Sequence, residues 1–160
     1  MKIDTTTVAR LDLKRYLGKW YEIARFDHSF ERGLEGVTAE YALRPDGKIR
    51  VLNSGHKGTP EGPLSTATGK AKIPDPETPG HLRVSFFLWF YSDYNVMELT
   101  EDYSCALVGS RTDKYLWILA RTPEVPWKLL DGMLVRARER GYDTSNLVWV
   151  KQSTTDCHGI

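Results

Sequence analysis

The chain has little cysteine, almost no excess of either charge and no long hydrophobic run. Its apolar stretch from Phe86 to Tyr91 is broken at Ser92 and Asp93, far short of the roughly 20 residues that a membrane-spanning helix needs. Two cysteines, Cys105 and Cys157, are too few for a disulfide scaffold and lack the paired spacing of a zinc site. With 22 Lys and Arg against 21 Asp and Glu the formal charge is +1, so nothing draws the chain to phosphate and no nucleic-acid partner is expected. Catalytic signatures are missing too. There is no G-x-S-x-G elbow and no H-E-x-x-H, and Gly62 to Lys70 has the wrong spacing for a Walker loop, with Ala71 where Ser or Thr is required. The histidines at 28, 56, 81 and 158 are scattered through loops and tail, so neither a metal nor a cofactor is expected. Asp27, His28 and Ser29 are adjacent in sequence and cannot easily aim at one another as a triad.

What the sequence has is period-2 alternation, the mark of half-buried strands. Val37, Ala39, Tyr41 and Leu43 share one face and Thr38, Glu40 and Arg44 the other; Asp46-Gly47 then supplies a hairpin turn into a strand with Ile49 and Val51 inward. Ala67, Gly69, Ala71 and Ile73 alternate with Thr68, Lys70 and Lys72. After a proline-rich break, Leu82, Val84 and Phe86 do the same. Asn95, Met97 and Leu99 are expected inward in the next strand, and Ser104 to Ser110 and Tyr115 to Arg121 continue the pattern. With Trp20 to Phe26 as the first, eight short strands at regular spacing predict an all-β, antiparallel up-and-down barrel over about 18–122. One helix is expected over about 126–140, packed outside by Trp127, Leu130, Leu134 and Ala137, then a short ninth strand at 147–151 and a frayed tail at 153–160. At 160 residues one domain accounts for the whole chain.

Alternating strand direction fixes which loops share an end. Asp46-Gly47, the turn after Ile73, Glu101 to Tyr103 and the segment after Arg121 gather at Trp20, the closed end; the longer loops 27–36, 55–63, 88–93 and 111–114 form the mouth. Three motifs fall at the closed end: Gly18-x-Trp20, then Glu101-Asp102-Tyr103, then Arg121 in Leu116 to Pro123. Together, in this order, they resemble the three motifs of the lipocalin family, with Glu101 where the family has Thr. The stretches 18–36, 90–109 and 115–123 are similar to the bacterial outer-membrane lipocalins, relatives of apolipoprotein D. Gly18, Trp20, Asp102, Tyr103 and Arg121 read as structural, with the Arg121 guanidinium stacked on a Trp20 floor plug.

Function then sits in the lumen. Ala24, Ala39, Ala67, Gly69 and Ala71 fall on inferred inner faces where a filled core would carry larger side chains, so a cavity is expected. Val84, Phe86, Met97, Leu99, Trp117 and Leu119 wall it; Glu22 turns inward as a buried carboxyl bonded to a tyrosine or as a polar anchor. Phe30, Trp89, Phe90, Tyr91 and Tyr94 rim the mouth, where Arg32, Arg111 or Lys114 meets a head group. The ligand-binding set is Glu22, Ala24, Ala39, Ala71, Phe86, Phe90, Tyr94, Met97, Trp117 and Leu119. The resemblance implies a carrier, not an enzyme, for a small hydrophobic molecule, a fatty acid or lysophospholipid first. An enzyme on the same barrel and a module that dimerises through its aromatic rim are the rival readings.

Bacterial relatives are tethered at the outer membrane through a lipidated N-terminal cysteine. Met1 to Leu13 carries Lys2, Asp4, Arg10 and Asp12 and is no intact signal, and no cysteine precedes Cys105. The expectation is therefore an outer-membrane or periplasmic protein whose signal has been removed, or otherwise a cytoplasmic one. In an oxidising compartment the tail reaches the wall near Cys105, which leaves a bond to Cys157 open.

Overall fold

A computed structural model describes residues 3–29, 31–87 and 90–153, apart from the side chains of residues 87, 90 and 91. Eight antiparallel strands run in chain order: β1 (Gly18–Phe26), β2 (Leu34–Leu43), β3 (Ile49–Lys57), β4 (Leu64–Lys72), β5 (His81–Phe87), β6 (Phe90–Leu99), β7 (Cys105–Gly109) and β8 (Leu116–Ala120). Each pairs with the next, and β1 pairs with both β2 and β8, so the sheet closes into a barrel. Gly47 adopts φ +85° in the hairpin between β2 and β3, and the Lys48 amide donates to the Asp46 carboxylate at 3.0 Å.

Helix α2 (Trp127–Glu139) and strand β9 (Leu147–Trp149) follow, and β9 pairs with the outer half of β1. The helix buries Leu130, Met133, Leu134 and Ala137 against the outer wall, each large side chain contributing roughly 1.5–3 kcal/mol of transfer free energy. Trp127 departs from the expected stripe: it sits at the first turn and is 66% exposed. A second departure is the four-residue helix α1 (Leu13–Tyr16), too short to show a period, which starts at Asp12, whose carboxylate caps the Lys14 amide. It precedes β1 at the closed end and buries Tyr16.

Register shifts interrupt four strand pairs, and those on β1 and β6 decide which of the expected site residues face the lumen. On β1, Glu22 faces Leu119 but Ala24 faces Ile118, so Ile23 is an extra residue. On β6, Val96 faces Val108 but Glu98 faces Leu107, so Met97 is extra. Each bulge flips the alternation beyond it. Two cores result, one inside the barrel and one between wall and α2.

Candidate ligand-binding site

The lower barrel is full. Trp20 is wholly buried at the floor and its indole donates to the Tyr16 carbonyl at 2.8 Å. The Arg121 side chain donates to the carbonyls of Lys19, Arg15, Tyr16 and Tyr103. Tyr103 takes φ +59°; its hydroxyl accepts from the Asp12 amide at 2.8 Å, while the Asp102 carboxylate accepts from the Ser104 amide. Above this, the Tyr94 hydroxyl lies 2.6 Å from that of Tyr16 and 2.9 Å from that of Tyr41. Burial holds all three phenols neutral by pushing them above their ordinary value. Ile49, Val51, Ala71, Leu82, Val96, Ala106, Val108 and Leu119 complete the packed layer.

The upper barrel is less buried than the floor. Strand pairing puts Ala39 beside Asn53 and Asn53 beside Ala67; Ala39 and Asn53 are half-buried and Ala67 is exposed. Val84, Tyr94 and Trp117 remain half-buried, and Phe86 is 36% exposed. The Phe86 ring lies against Gly69, where a Cβ would approach within 2.7 Å of it and strike the Ser85 carbonyl. Glycine here is a close-approach requirement rather than vacant space.

The expected binding residues therefore divide. Ala39, Phe86, Tyr94 and Trp117 border the less buried part, with Glu22 beside it, whereas Ala71 and Leu119 belong to the filled layer. Ala24 and Met97 correct the expectation: the bulges turn both outward into the core beneath α2, where the Tyr142 hydroxyl lies 3.6 Å from the Met97 sulfur. The Met97 carbonyl accepts from Arg140 at 2.9 Å. Asn95 also leaves the lumen, donating at 3.4 Å to the Ser110 carbonyl. The Phe90 side chain, Phe30, Trp89 and Cys157 lie outside the described residues. Cys105 is buried in the outer core.

A polar cluster that alternation did not anticipate caps the lumen at β1. The bulge at Ile23 that expels Ala24 draws in Arg25, which is only 2% exposed. Arg25 donates to Glu22 at 3.2 Å and to the carbonyls of Leu34 (3.2 Å) and Glu31 (2.8 Å). The Glu31 carboxylate reaches in from the β1–β2 loop and accepts from His28 at 2.6 Å and from the Trp117 indole at 2.9 Å. Glu22 therefore bonds to Arg25 and Glu31, not to a tyrosine. Burial and the neighbouring Glu31 push its carboxyl well above the ordinary range. Burial pulls Glu31 up as well, but hydrogen bonds from His28, Glu22 and Trp117 outweigh it and hold Glu31 at about 2. The adjacent apolar pair Ile23-Ala24 was the one trace of the bulge in the sequence.

The mouth cations are partly engaged. Arg111, Arg83 and His81 converge on Asp93 at 2.9–3.0 Å. Arg32 pairs with Asp27 and, with Lys114, borders a recess of about 600 Å³ on the outer side of the rim. Among the described residues no group of three or more His, Cys, Asp and Glu is arranged to hold a metal.

A family described as the lipocalin-like domain matches residues 11–152. The chain is 50% identical over 146 residues to the outer membrane lipoprotein Blc of Vibrio cholerae, covering 91% of this chain and 85% of that one. It is 48% identical over 147 residues to the Escherichia coli K12 protein of the same name, covering 92% and 82%. Among solved structures, insecticyanin from the tobacco hornworm Manduca sexta superposes with a TM-score of 0.76 at 22% identity, covering 98% of this chain and 89% of that one, which shows the shared fold.

Proposed function

The chain belongs to the lipocalin family, and on that premise we propose that it carries a fatty acid or lysophospholipid, acyl chain down, in the less buried upper half of its barrel. Family membership itself supports binding of a small hydrophobic molecule. The observation that carries the finer reading is the contrast between the two halves of the lumen: a floor packed by Trp20 and three tyrosines, and above it accessible Ala39, Ala67, Val84, Phe86 and Trp117. Each buried methylene contributes about 0.8 kcal/mol. A dozen carbons contribute roughly 10 kcal/mol gross, enough for about micromolar affinity once ordering costs are subtracted.

The relatives at about half identity are named outer membrane lipoproteins, and this chain takes the same setting, the outer membrane and periplasm. A membrane supplies the amphipathic molecules that the lumen fits. The test is mass spectrometry of solvent extracts from purified protein, followed by titration with fatty acids and lysophospholipids of graded length. Saturable one-to-one binding that tightens with chain length supports the reading. Turnover of the ligand favours an enzyme, and dimerisation without binding favours an interaction module.

A further inference from the structure

Glu22 and Glu31 bring two carboxyl groups into hydrogen-bonding contact where water barely reaches, their side chains 7% and 16% exposed. They come from different elements: Glu22 is fixed in the β1 wall, and Glu31 opens the turn at 31–34 that leads into β2. Their donors are unequal. Glu31 takes the short bonds from His28 (2.6 Å) and Trp117 (2.9 Å), while Glu22 has the Arg25 guanidinium at 3.2 Å. Two touching carboxyls cannot both ionise without large cost, and the proton settles on the one with fewer donors. That one is Glu22.

We propose that the proton shared between Glu22 and Glu31 latches the 31–34 turn to the inside of the barrel, and that losing it frees this part of the mouth. The surrounding charges set the direction. On β1 only Arg25 faces the pair. From the loop come His28 and Asp27, the latter 3.7 Å from Arg25 and also paired with Arg32. From β2 comes Tyr41, kept neutral by burial, and from β8 Trp117, which carries no charge. With Glu22 protonated, Arg25 and ionised Glu31 balance. Without the proton, two carboxylates share one guanidinium that already serves the carbonyls of Glu31 and Leu34. Glu22 is held by strand pairing on both sides of the bulge, so Glu31 and its turn give way. The proton holds the latch most firmly at low pH, and its hold weakens as pH rises from the ordinary carboxylate range to the elevated Glu22 value, above which it is lost.

The latch goes beyond the carrier reading, and its test needs no ligand, so either can fail without the other. In ¹³C,¹⁵N-labelled protein the Glu22 carboxyl is titrated between pH 5 and 10, together with the Trp117 indole resonance and exchange of the Leu34 amide, which donates to the Glu31 carbonyl at 2.9 Å. Glu22 should titrate above the ordinary carboxylate range. Opening at Leu34, corrected for base catalysis, should rise by up to about tenfold per pH unit from the ordinary carboxylate range to the Glu22 titration and level off above it, the signature of one proton lost per opening. Glu22→Gln keeps a donor toward Glu31 with no proton to lose, and should abolish the step in both probes. If that variant fails to fold, Glu31→Gln removes the carboxylate partner and should bring the Glu22 titration down and erase the Leu34 step. The proposal is overturned if Glu22 is already ionised at pH 5, if it titrates without a change at Leu34, or if the variant that folds keeps the step.

Discussion

Arg121 lies across Trp20 with its guanidinium carbon 3.8 Å from the centre of the ring system. The contact joins the end of β8 to the start of β1, and the same guanidinium gathers four backbone carbonyls from α1, β1 and the β6–β7 turn. A planar fork can stack and donate at once, which a lysine ammonium cannot do. Trp20→Ala should lower unfolding free energy by about 3–5 kcal/mol, as for a large buried aromatic. Arg121→Lys should also destabilise, because several carbonyls lose their donor. Urea unfolding of both variants checks this; a Trp20→Ala curve coincident with the parent's sinks the floor assignment.

Glu31 makes the fold acid-sensitive. A carboxyl held at about 2 when folded contributes stability above its ordinary value of 4.5 and loses that contribution as pH falls toward 2. Stability measured by urea unfolding should decline from pH 4.5 to 2, and Glu31→Gln should flatten that decline while lowering stability at pH 6. Equal slopes in parent and variant would count against the assignment.

The barrel was legible because alternation, turn chemistry and strand spacing all describe the same object, and Asp46-Gly47 even marks its own hairpin. The lumen was legible only where alternation runs unbroken. Ala39 lies where the pattern puts it, but Ile23 and Met97 each add one residue to a strand, and a bulge has no compositional mark beyond two apolar neighbours in a row. An unseen extra residue puts the two halves of its strand out of phase, so Ala24, beyond the bulge on β1, and Met97, the extra residue on β6, left the site and Arg25 entered it, while Leu99 stayed on the inner face. Glu31 was hidden for a different reason. It is a loop residue, and what a loop side chain meets depends on tertiary folding that periodicity does not encode.

Cys105 should be chemically quiet. It is fully buried in the outer core, and burial pushes its thiol up to about 11, so both access and thiolate are lacking at neutral pH. Alkylation at pH 8, followed by mass spectrometry of the peptide containing Cys105, should be slow in native protein and fast in urea. Rapid native labelling would contradict the packing.

The carrier reading makes its sharpest prediction where it separates the two faces of the wall. Ala67 is exposed and its strand partner Asn53 lies beside Ala39 in the less buried part of the lumen. Ala67→Phe adds bulk there without displacing a packed neighbour, so it should leave the melting transition nearly unchanged while weakening acyl-chain binding at least about tenfold, a loss of some 1.4 kcal/mol or two methylenes' worth of contact. Gly69→Phe is the poor choice, since its Cβ would strike the Ser85 carbonyl and the fold would yield before the ligand did. Met97→Leu is the control: Met97 packs in the core under α2, so a near-isosteric swap there should cost under about 1.5 kcal/mol of stability and leave binding untouched. Fluorescence titration with a series of fatty acids reads all three, with Trp117 at the lumen wall as a reporter. If Ala67→Phe binds like the parent, or if affinity in the parent does not climb with chain length, the acyl chain does not lie along this part of the barrel.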